Sequence, residues 1–197
     1  MAYPFPHVIK VLVVGDNTVD KGLLLRKFEN SERRDYPFVS TIGIPYRVRD
    51  VSVDGQTVRV QLWDAGWTEA WTAVDASSHD ALAASALLLV YDVTREDTYE
   101  SVRTWLRSVK SGGRCTDRVV MMVLGDNCHF QRDDRQVTWE RGKELGREAH
   151  VAFLEVSSVT AVNLETTLKS VARAVLAKES AAAHQSSSNN KSTCSLQ

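Results

Sequence analysis

The stretch that decides the fold runs from Val8 to Phe28 and reads VIKVLVVGDNTVDKGLLLRKF. A mainly apolar run stops at Gly15, and a leucine-rich pattern with helical spacing begins at Leu23. Such a run bounded by glycine is typical of a buried strand, whereas leucines at helical spacing indicate a helix. The stretch therefore predicts a strand, a short loop and a helix in immediate succession.

The loop between this strand and this helix fits a phosphate-binding pattern only in part. The pattern G-x-x-x-x-G-K-[ST] wraps backbone N–H groups around a phosphate and adds a lysine. Gly15 and Lys21 match it, but Asp20 stands at the second glycine and Gly22 stands at the hydroxyl. Two like charges about 4 Å apart repel by about 4 kcal/mol at an effective dielectric of about 20, more than a charge-assisted hydrogen bond contributes. We therefore expect Asp20 largely to cancel the attraction of Lys21 for phosphate.

Composition indicates one globular domain followed by a tail. The chain has 197 residues, 43% of them hydrophobic and 25% charged, with a formal net charge of -1. This balance offers no basic surface for nucleic acid, and no apolar run is long enough to cross a bilayer. The N-terminus lacks the apolar core of a signal peptide, the cysteines are not closely spaced, and the histidines lack metal-ligand spacing. We expect a cytoplasmic protein with no metal site and no nucleic-acid partner.

Alternating strand and helix patterns follow the first helix. A hairpin is predicted from residues 46–53 and 57–63, joined by Asp54-Gly55, a strong two-residue turn. Further strands are predicted at residues 86–91, 119–124 and 151–156, and further helices within residues 65–84 and at 97–110, 138–149 and 164–175. This order predicts an α/β fold of three layers, with a six-stranded, mostly parallel sheet, one antiparallel hairpin strand and helices on both faces. Ligands of such sheets bind at the carboxyl ends of the strands.

Four segments resemble the Ras superfamily, and within it the Rab branch. They read STIG at residues 40–43, VDGQTVRVQLWDAG at 53–66, LLLVYDVT at 87–94 and YESVRTWL at 99–106. The resemblance covers residues 8–178 and implies a P-loop G-domain with a guanine nucleotide and Mg²⁺ at the sheet edge. It implies that Gly15, Lys21, Thr41 and Asp64 are remnants of the family's nucleotide-binding motifs.

The resemblance also shows where this chain departs from the family in the metal and hydrolysis positions. Gly22 replaces the family's hydroxyl that holds Mg²⁺, although Asp64 matches the aspartate that supports the metal. Where the family continues Thr-Ala-Gly-Gln-Glu, residues 65–69 read AGWTE. Without a gap, Trp67 replaces the glycine that meets the γ-phosphate and Thr68 replaces the water-orienting glutamine. With a one-residue deletion, Gly66 is kept and Trp67 replaces that glutamine, so either alignment implies no catalytic residue.

The guanine-reading positions differ as well. The family's Asn-Lys-x-Asp corresponds here to Asp126, Asn127, Cys128 and His129. Neutral His129 cannot accept the two hydrogen bonds that a carboxylate accepts from guanine, which predicts a large loss of discrimination. The companion Ser-Ala-Lys loop has become Ser157-Ser158-Val159, which removes the lysine that stacks on the base. Asp126 or the backbone of Ser158 could still touch a purine.

These departures together predict a pseudo-GTPase that needs no cofactor and acts as a nucleotide-independent adaptor in membrane trafficking. The predicted surface for a protein partner comprises Thr41 to Arg49 and Trp63 to Trp71. We expect Lys21 to pair with Asp20 or Asp64, and Trp67 or Trp71 to cover the opening of the site. The alternatives are a GTPase that binds GTP or GDP with Mg²⁺ weakly or with a partner's help, and a protein that binds another nucleotide such as ATP.

A tail is predicted after the G-domain of residues 1–178. Residues 179–197 read ESAAAHQSSSNNKSTCSLQ, a composition typical of a flexible linker. The last four residues fit the prenylation pattern C-a-a-X, with Cys194 as the lipidated residue. Because stable anchoring generally takes two signals, one prenyl group predicts weak and reversible association with the cytosolic face of a membrane.

Overall fold

The computed structural model describes residues 7–29, 38–39, 45–66, 84–111, 119–130 and 134–192, with side chains described as far as residue 183 except at 38–39. The strands are β1 (His7–Gly15), β2 (Phe38–Val39), β3 (Pro45–Val53), β4 (Gln56–Ala65), β5 (Ala86–Asp92), β6 (Val120–Asp126) and β7 (Ala152–Glu155). The helices in these ranges are α1 (Lys21–Glu29), α2 (Glu96–Ser111), α3 (Trp139–Ala149) and α4 (Leu164–Ser192).

One sheet joins all of these strands in the order β2-β3-β4-β1-β5-β6-β7. The neighbouring strands β4, β1, β5, β6 and β7 pair in parallel, and β3 pairs antiparallel with β4. The predicted fold class is confirmed. The sheet contains one strand more than the predicted six, because β2 adds two residues antiparallel to the start of β3. A two-residue strand is too short for its sequence to show an alternating pattern. Most of the helix predicted within residues 65–84 lies outside the described residues.

The sheet is covered on both faces, which explains the apolar runs of the sequence. In β1, Ile9, Val11 and Val13 face one core, which α1 and α4 complete. Leu12 and Val14 face a second core, to which α2 and α3 contribute. A strand buried on both faces needs apolar residues at every position, so its sequence does not alternate.

The hairpin turn between β3 and β4 has the predicted geometry. Asp54 and Gly55 have φ angles of 50° and 81°. Positive φ at both central residues is what a two-residue hairpin turn of the favoured type requires. The turn pairs Val53 with Gln56 and so sets the register of the antiparallel strands.

Helix α4 continues beyond the predicted end of the domain. The sequence predicts a flexible segment from residue 179, but the backbone is helical as far as Ser192. Contacts with the domain hold this helix at the predicted boundary, where Lys178 Nζ donates to Val119 O (3.1 Å) and His7 Nε2 lies 2.8 Å from a carboxylate oxygen of Glu179. The three alanines at 181–183 are strong helix formers and allow the helix to propagate. In the ranges that the structure covers, no helix combines the length and apolarity needed to cross a membrane.

Candidate functional site

A polar cavity of about 550 Å³ lies at the carboxyl edge of the sheet, where the sequence predicts a site. It is lined by Asn17, Thr18, Val19, Asp20, Lys21, Gly22, Asp64, Ala65 and Gly66. The loop between β1 and α1 meets the end of β4 here because these strands are neighbours, with Val13 paired to Asp64. The fold therefore brings Lys21 and Asp64 together in the cavity wall, and Gly15 ends the strand that leads into the loop.

Lys21 is bound to the loop that precedes it. Its Nζ donates to the backbone oxygens of Gly15 (3.2 Å) and Asp16 (3.1 Å). The expectation that Lys21 pairs with Asp20 or Asp64 is wrong: all three residues are described, and the hydrogen bonds of Lys21 Nζ go to backbone carbonyls instead.

Asp20 caps the N-terminus of α1, a role that is not among the expectations for this residue. Its Oδ1 accepts a hydrogen bond from the backbone N–H of Leu23 (2.8 Å), and its carbonyl accepts one from Leu24 (3.2 Å). This is the geometry of a helix N-cap, in which a short polar side chain satisfies an N–H group of the first turn. An aspartate immediately before a helical pattern is a known start signal, so the sequence contained this information.

The rest of the loop is held by its own hydrogen bonds. Asp16 Oδ1 accepts from the N–H (3.1 Å) and the hydroxyl (2.9 Å) of Thr18, and Asp16 Oδ2 accepts from Ser101 Oγ (3.2 Å). These bonds, led by the Thr18 N–H, lower the pKa of Asp16. The N–H groups of Val19 and Lys21 donate to the carbonyls of Asp16 (3.1 Å) and Val19 (2.8 Å). Much of the donor capacity that a phosphate would need is therefore used within the chain.

Gly15 and Asp64 are explained in part by the fold alone. A Cβ atom at Gly15 would lie 2.5 Å from the backbone oxygen of Val90, so the pairing of β1 with β5 requires glycine there. Asp64 is half-buried in the cavity wall, and burial raises the pKa of its carboxyl group. The charge of Lys21 opposes this change in the Asp64 pKa, and the charge of Asp20 adds to it.

The second half of the site lies at the ends of β6 and β7. Asp126 is buried, and its Oδ1 accepts from the N–H groups of Asn127 (2.7 Å) and Ser158 (2.8 Å). Burial raises the pKa of Asp126 although these two bonds oppose the change. Asp126 therefore ties the two loops together, and its Oδ1 is directed at protein N–H groups.

Asn127 and His129, which match the family's lysine and aspartate, each contact another side chain of the protein. Asn127, with a φ of 67°, donates from Nδ2 to Asp92 Oδ2 (2.9 Å). His129 Nδ1 lies 2.9 Å from Ser157 Oγ, and its ring lies 4.5 Å from that of Phe130. Val159, at the position of the base-stacking lysine, is exposed.

The structure does not cover every predicted position. Thr41, Trp67, Thr68, Trp71 and Cys194 lie outside the described residues. Where side chains are described, no group of three or more His, Cys, Asp or Glu residues is placed to hold a metal ion.

Comparison with known proteins identifies the family. The family model described as "Ras family" matches residues 10–177. Ras-related protein Rab-8B of Homo sapiens is 31% identical over 178 residues, covering 90% of this chain and 83% of the relative. Ras-related protein Rab-8A of Mus musculus gives the same identity and coverage, and Ras-related protein Rab-8 of Diplobatis ommata is 30% identical, with 90% and 82% covered. The chain belongs to the Ras family of small GTPases, in its Rab-like branch.

Proposed function

We propose that this Rab-like chain is a pseudo-GTPase, a protein that holds a partner at a membrane without a nucleotide cycle. The observation that carries the proposal is the bonding of the guanine-reading positions to the protein itself. His129 Nδ1 is engaged with Ser157, and the amide of Asn127 is engaged with Asp92.

Guanine recognition needs an acceptor for two neighbouring N–H groups of the base. A carboxylate provides two oxygens for this, whereas an imidazole with one nitrogen already engaged has one nitrogen left. The Ser158 N–H, which could reach a purine, donates to Asp126 at 2.8 Å. A site that lacks the matching polar partner commonly loses several orders of magnitude in discrimination.

The phosphate end also fits a magnesium nucleotide poorly. Mg²⁺ in a P-loop protein is held by a hydroxyl after the lysine and by an aspartate. Gly22 has no side-chain oxygen to offer the metal, although the Asp64 carboxyl group lines the cavity. The residues present therefore do not fit a hydrolytic Mg²⁺ site.

The proposed partner surface includes a stacked aromatic pair in its described part. Tyr46 and Trp63 stack with ring centroids 4.7 Å apart, and Lys10 Nζ lies 4.5 Å from the centroid of the Trp63 ring. Trp63 is buried and Tyr46 is half-buried, so a partner would meet Tyr46 with Trp63 as its support. A surface held by such packing needs no γ-phosphate to order it, as a nucleotide-independent adaptor requires.

Nucleotide content tests the proposal directly. The full-length protein is purified without added nucleotide, denatured, and its supernatant separated by ion-exchange chromatography beside a GTP-binding protein treated identically. We expect no guanine or adenine nucleotide, and no increase in melting temperature with Mg²⁺-GTP or Mg²⁺-ATP. One equivalent of GDP or GTP per chain would establish the alternative, a GTP-binding Rab protein with weak or assisted binding.

A further inference from the structure

The first turn of α1 is the part of the molecule where a phosphate would be expected to bind. The first N–H groups of a helix lack partners within the helix, and together with the helix dipole they attract anions. In this chain one of those donors, the N–H of Leu23, already donates to Asp20 Oδ1 at 2.8 Å. The protein's own carboxylate is thus bonded to the end of the helix that faces the cavity.

That carboxylate also lies close to Gly22. A Cβ atom built on Gly22 would lie 3.5 Å from Asp20 Oδ1, which is ordinary van der Waals contact. The carboxylate therefore lies over the first turn of α1, next to the residue that follows the lysine. A small side chain at position 22 could coexist with it.

Lys21 is engaged as well, because its ammonium group bonds the carbonyls of Gly15 and Asp16 at 3.2 and 3.1 Å. Volume does not limit the site, because about 550 Å³ lies within the range of ligand cavities. Two of the donors that an anion would need here, Lys21 Nζ and the Leu23 N–H, already donate within the chain.

We propose that the Asp20 carboxylate is an internal occupant of the phosphate position at the N-terminus of α1, and that its presence there keeps free phosphate compounds out. The bond to the Leu23 N–H removes a donor from the site, in addition to the repulsion between the Asp20 charge and a phosphate. This inference rests on the proposed function, since it explains how a P-loop frame stays without its nucleotide.

Three substitutions separate occupancy from charge. Asp20→Ala and Asp20→Gly remove the capping group, whereas Asp20→Asn keeps an oxygen that can accept from Leu23 and loses the charge. The probe is inorganic tripolyphosphate, titrated calorimetrically into each full-length protein with and without Mg²⁺. We expect the Ala and Gly variants to bind at least about tenfold more tightly than the wild type, a change of about 1.4 kcal/mol. The Asn variant, which loses the charge but keeps the capping oxygen, should bind clearly less tightly than the Ala and Gly variants.

A second measurement locates the effect and controls for folding. In the Ala and Gly variants, the backbone amide resonance of Leu23 should shift on addition of tripolyphosphate, while the wild-type resonance should not. Melting curves identify a variant that has failed to fold. If either the Ala or the Gly variant fails to fold, the other still tests the inference.

Two results would overturn the inference. Folded Ala and Gly variants that bind tripolyphosphate no better than the wild type would show that Asp20 does not close the site. An Asn variant that binds as tightly as the Ala variant would show that charge alone closes it. Because tripolyphosphate has no base, these results do not depend on the guanine end, and co-purified nucleotide tests the proposed function separately.

Discussion

Asp126 shows how one residue can keep a structural role at a position where the family reads a nucleotide. It is 3% exposed and joins the loops after β6 and β7 through two backbone N–H donors. Burial raises its pKa, so the folded protein favours the protonated form more than the unfolded chain does. The stability from this group is therefore fully present below its ordinary pKa and is lost as the pH rises through the folded-state pKa.

Asp126→Asn should consequently stabilise the protein at neutral pH. The amide oxygen can accept the same two hydrogen bonds, and the buried charge is removed. We expect a gain of about 1 kcal/mol at pH 7, equal to about 2–4 °C in Tm, that disappears toward pH 4. Thermal unfolding from pH 4 to 8 measures it.

Asp50→Asn is the matched control with the opposite sign. The hydrogen bond from Arg59 lowers the pKa of the exposed Asp50, so its stabilisation is present above the ordinary pKa and is lost as the pH falls. This variant should be slightly less stable than the wild type at pH 7 and equal to it at low pH. A destabilised Asp126→Asn at pH 7 would contradict the assigned direction.

At the scale of elements, a buried ion pair joins α1 to β3. Arg47 Nη1 donates to Glu29 Oε2, and both residues are less than 8% exposed. Arg49 Nη1 adds a bond to the backbone oxygen of Glu29 (3.3 Å). These bonds fix the end of α1 against β3, which carries part of the proposed partner surface.

Arg47→Ala should destabilise the protein by about 3–5 kcal/mol, because it leaves Glu29 buried without its partner. Chemical denaturation measures the change. Arg59→Ala is the control, since its ion pair with Asp50 is exposed and should contribute at most about 1 kcal/mol. The double variant Glu29→Leu/Arg47→Met should recover most of the loss. Equal costs for the two single variants would show that burial does not govern the pair.

At the scale of the whole molecule, α4 extends the folded body toward the C-terminus. An ion pair with Asp54 (3.2 Å) holds Arg173 to the hairpin. Further along the helix, Lys178 bonds to Val119 and Glu179 contacts His7. A lipid at Cys194 would therefore follow soon after a helix that is docked on the domain.

Cys194→Ser tests the proposed membrane association in cells by fractionation. One prenyl chain without a second signal gives weak, reversible binding, so the parent should divide between membrane and cytosol and the variant should move to the cytosol. Cys128→Ser is the control, because Cys128 is half-buried within the guanine-reading loop and should not affect the distribution. An unchanged distribution of Cys194→Ser would rule out prenylation as the anchor.

The sequence by itself determined the α/β class, the two-sided sheet, the hairpin turn at Asp54-Gly55 and the sheet edge that carries the site. These features follow from local patterns, since apolar runs, helical spacing and turn residues act over a few neighbouring positions. The motif comparison likewise pointed to Lys21 and Asp64, which line one cavity, and to Gly15, whose backbone oxygen accepts a hydrogen bond from Lys21.

Only the tertiary structure decided which atoms those residues contact. The bonding of Lys21 to carbonyls, the burial of Glu29 with Arg47 and the link from Asp126 to Ser158 each join groups whose separation depends on the folded backbone. The partner of a charged side chain is set by competition among all the donors and acceptors within its reach. The outcome depends on distances and burial in the folded protein, which the spacing of residues along the chain does not specify.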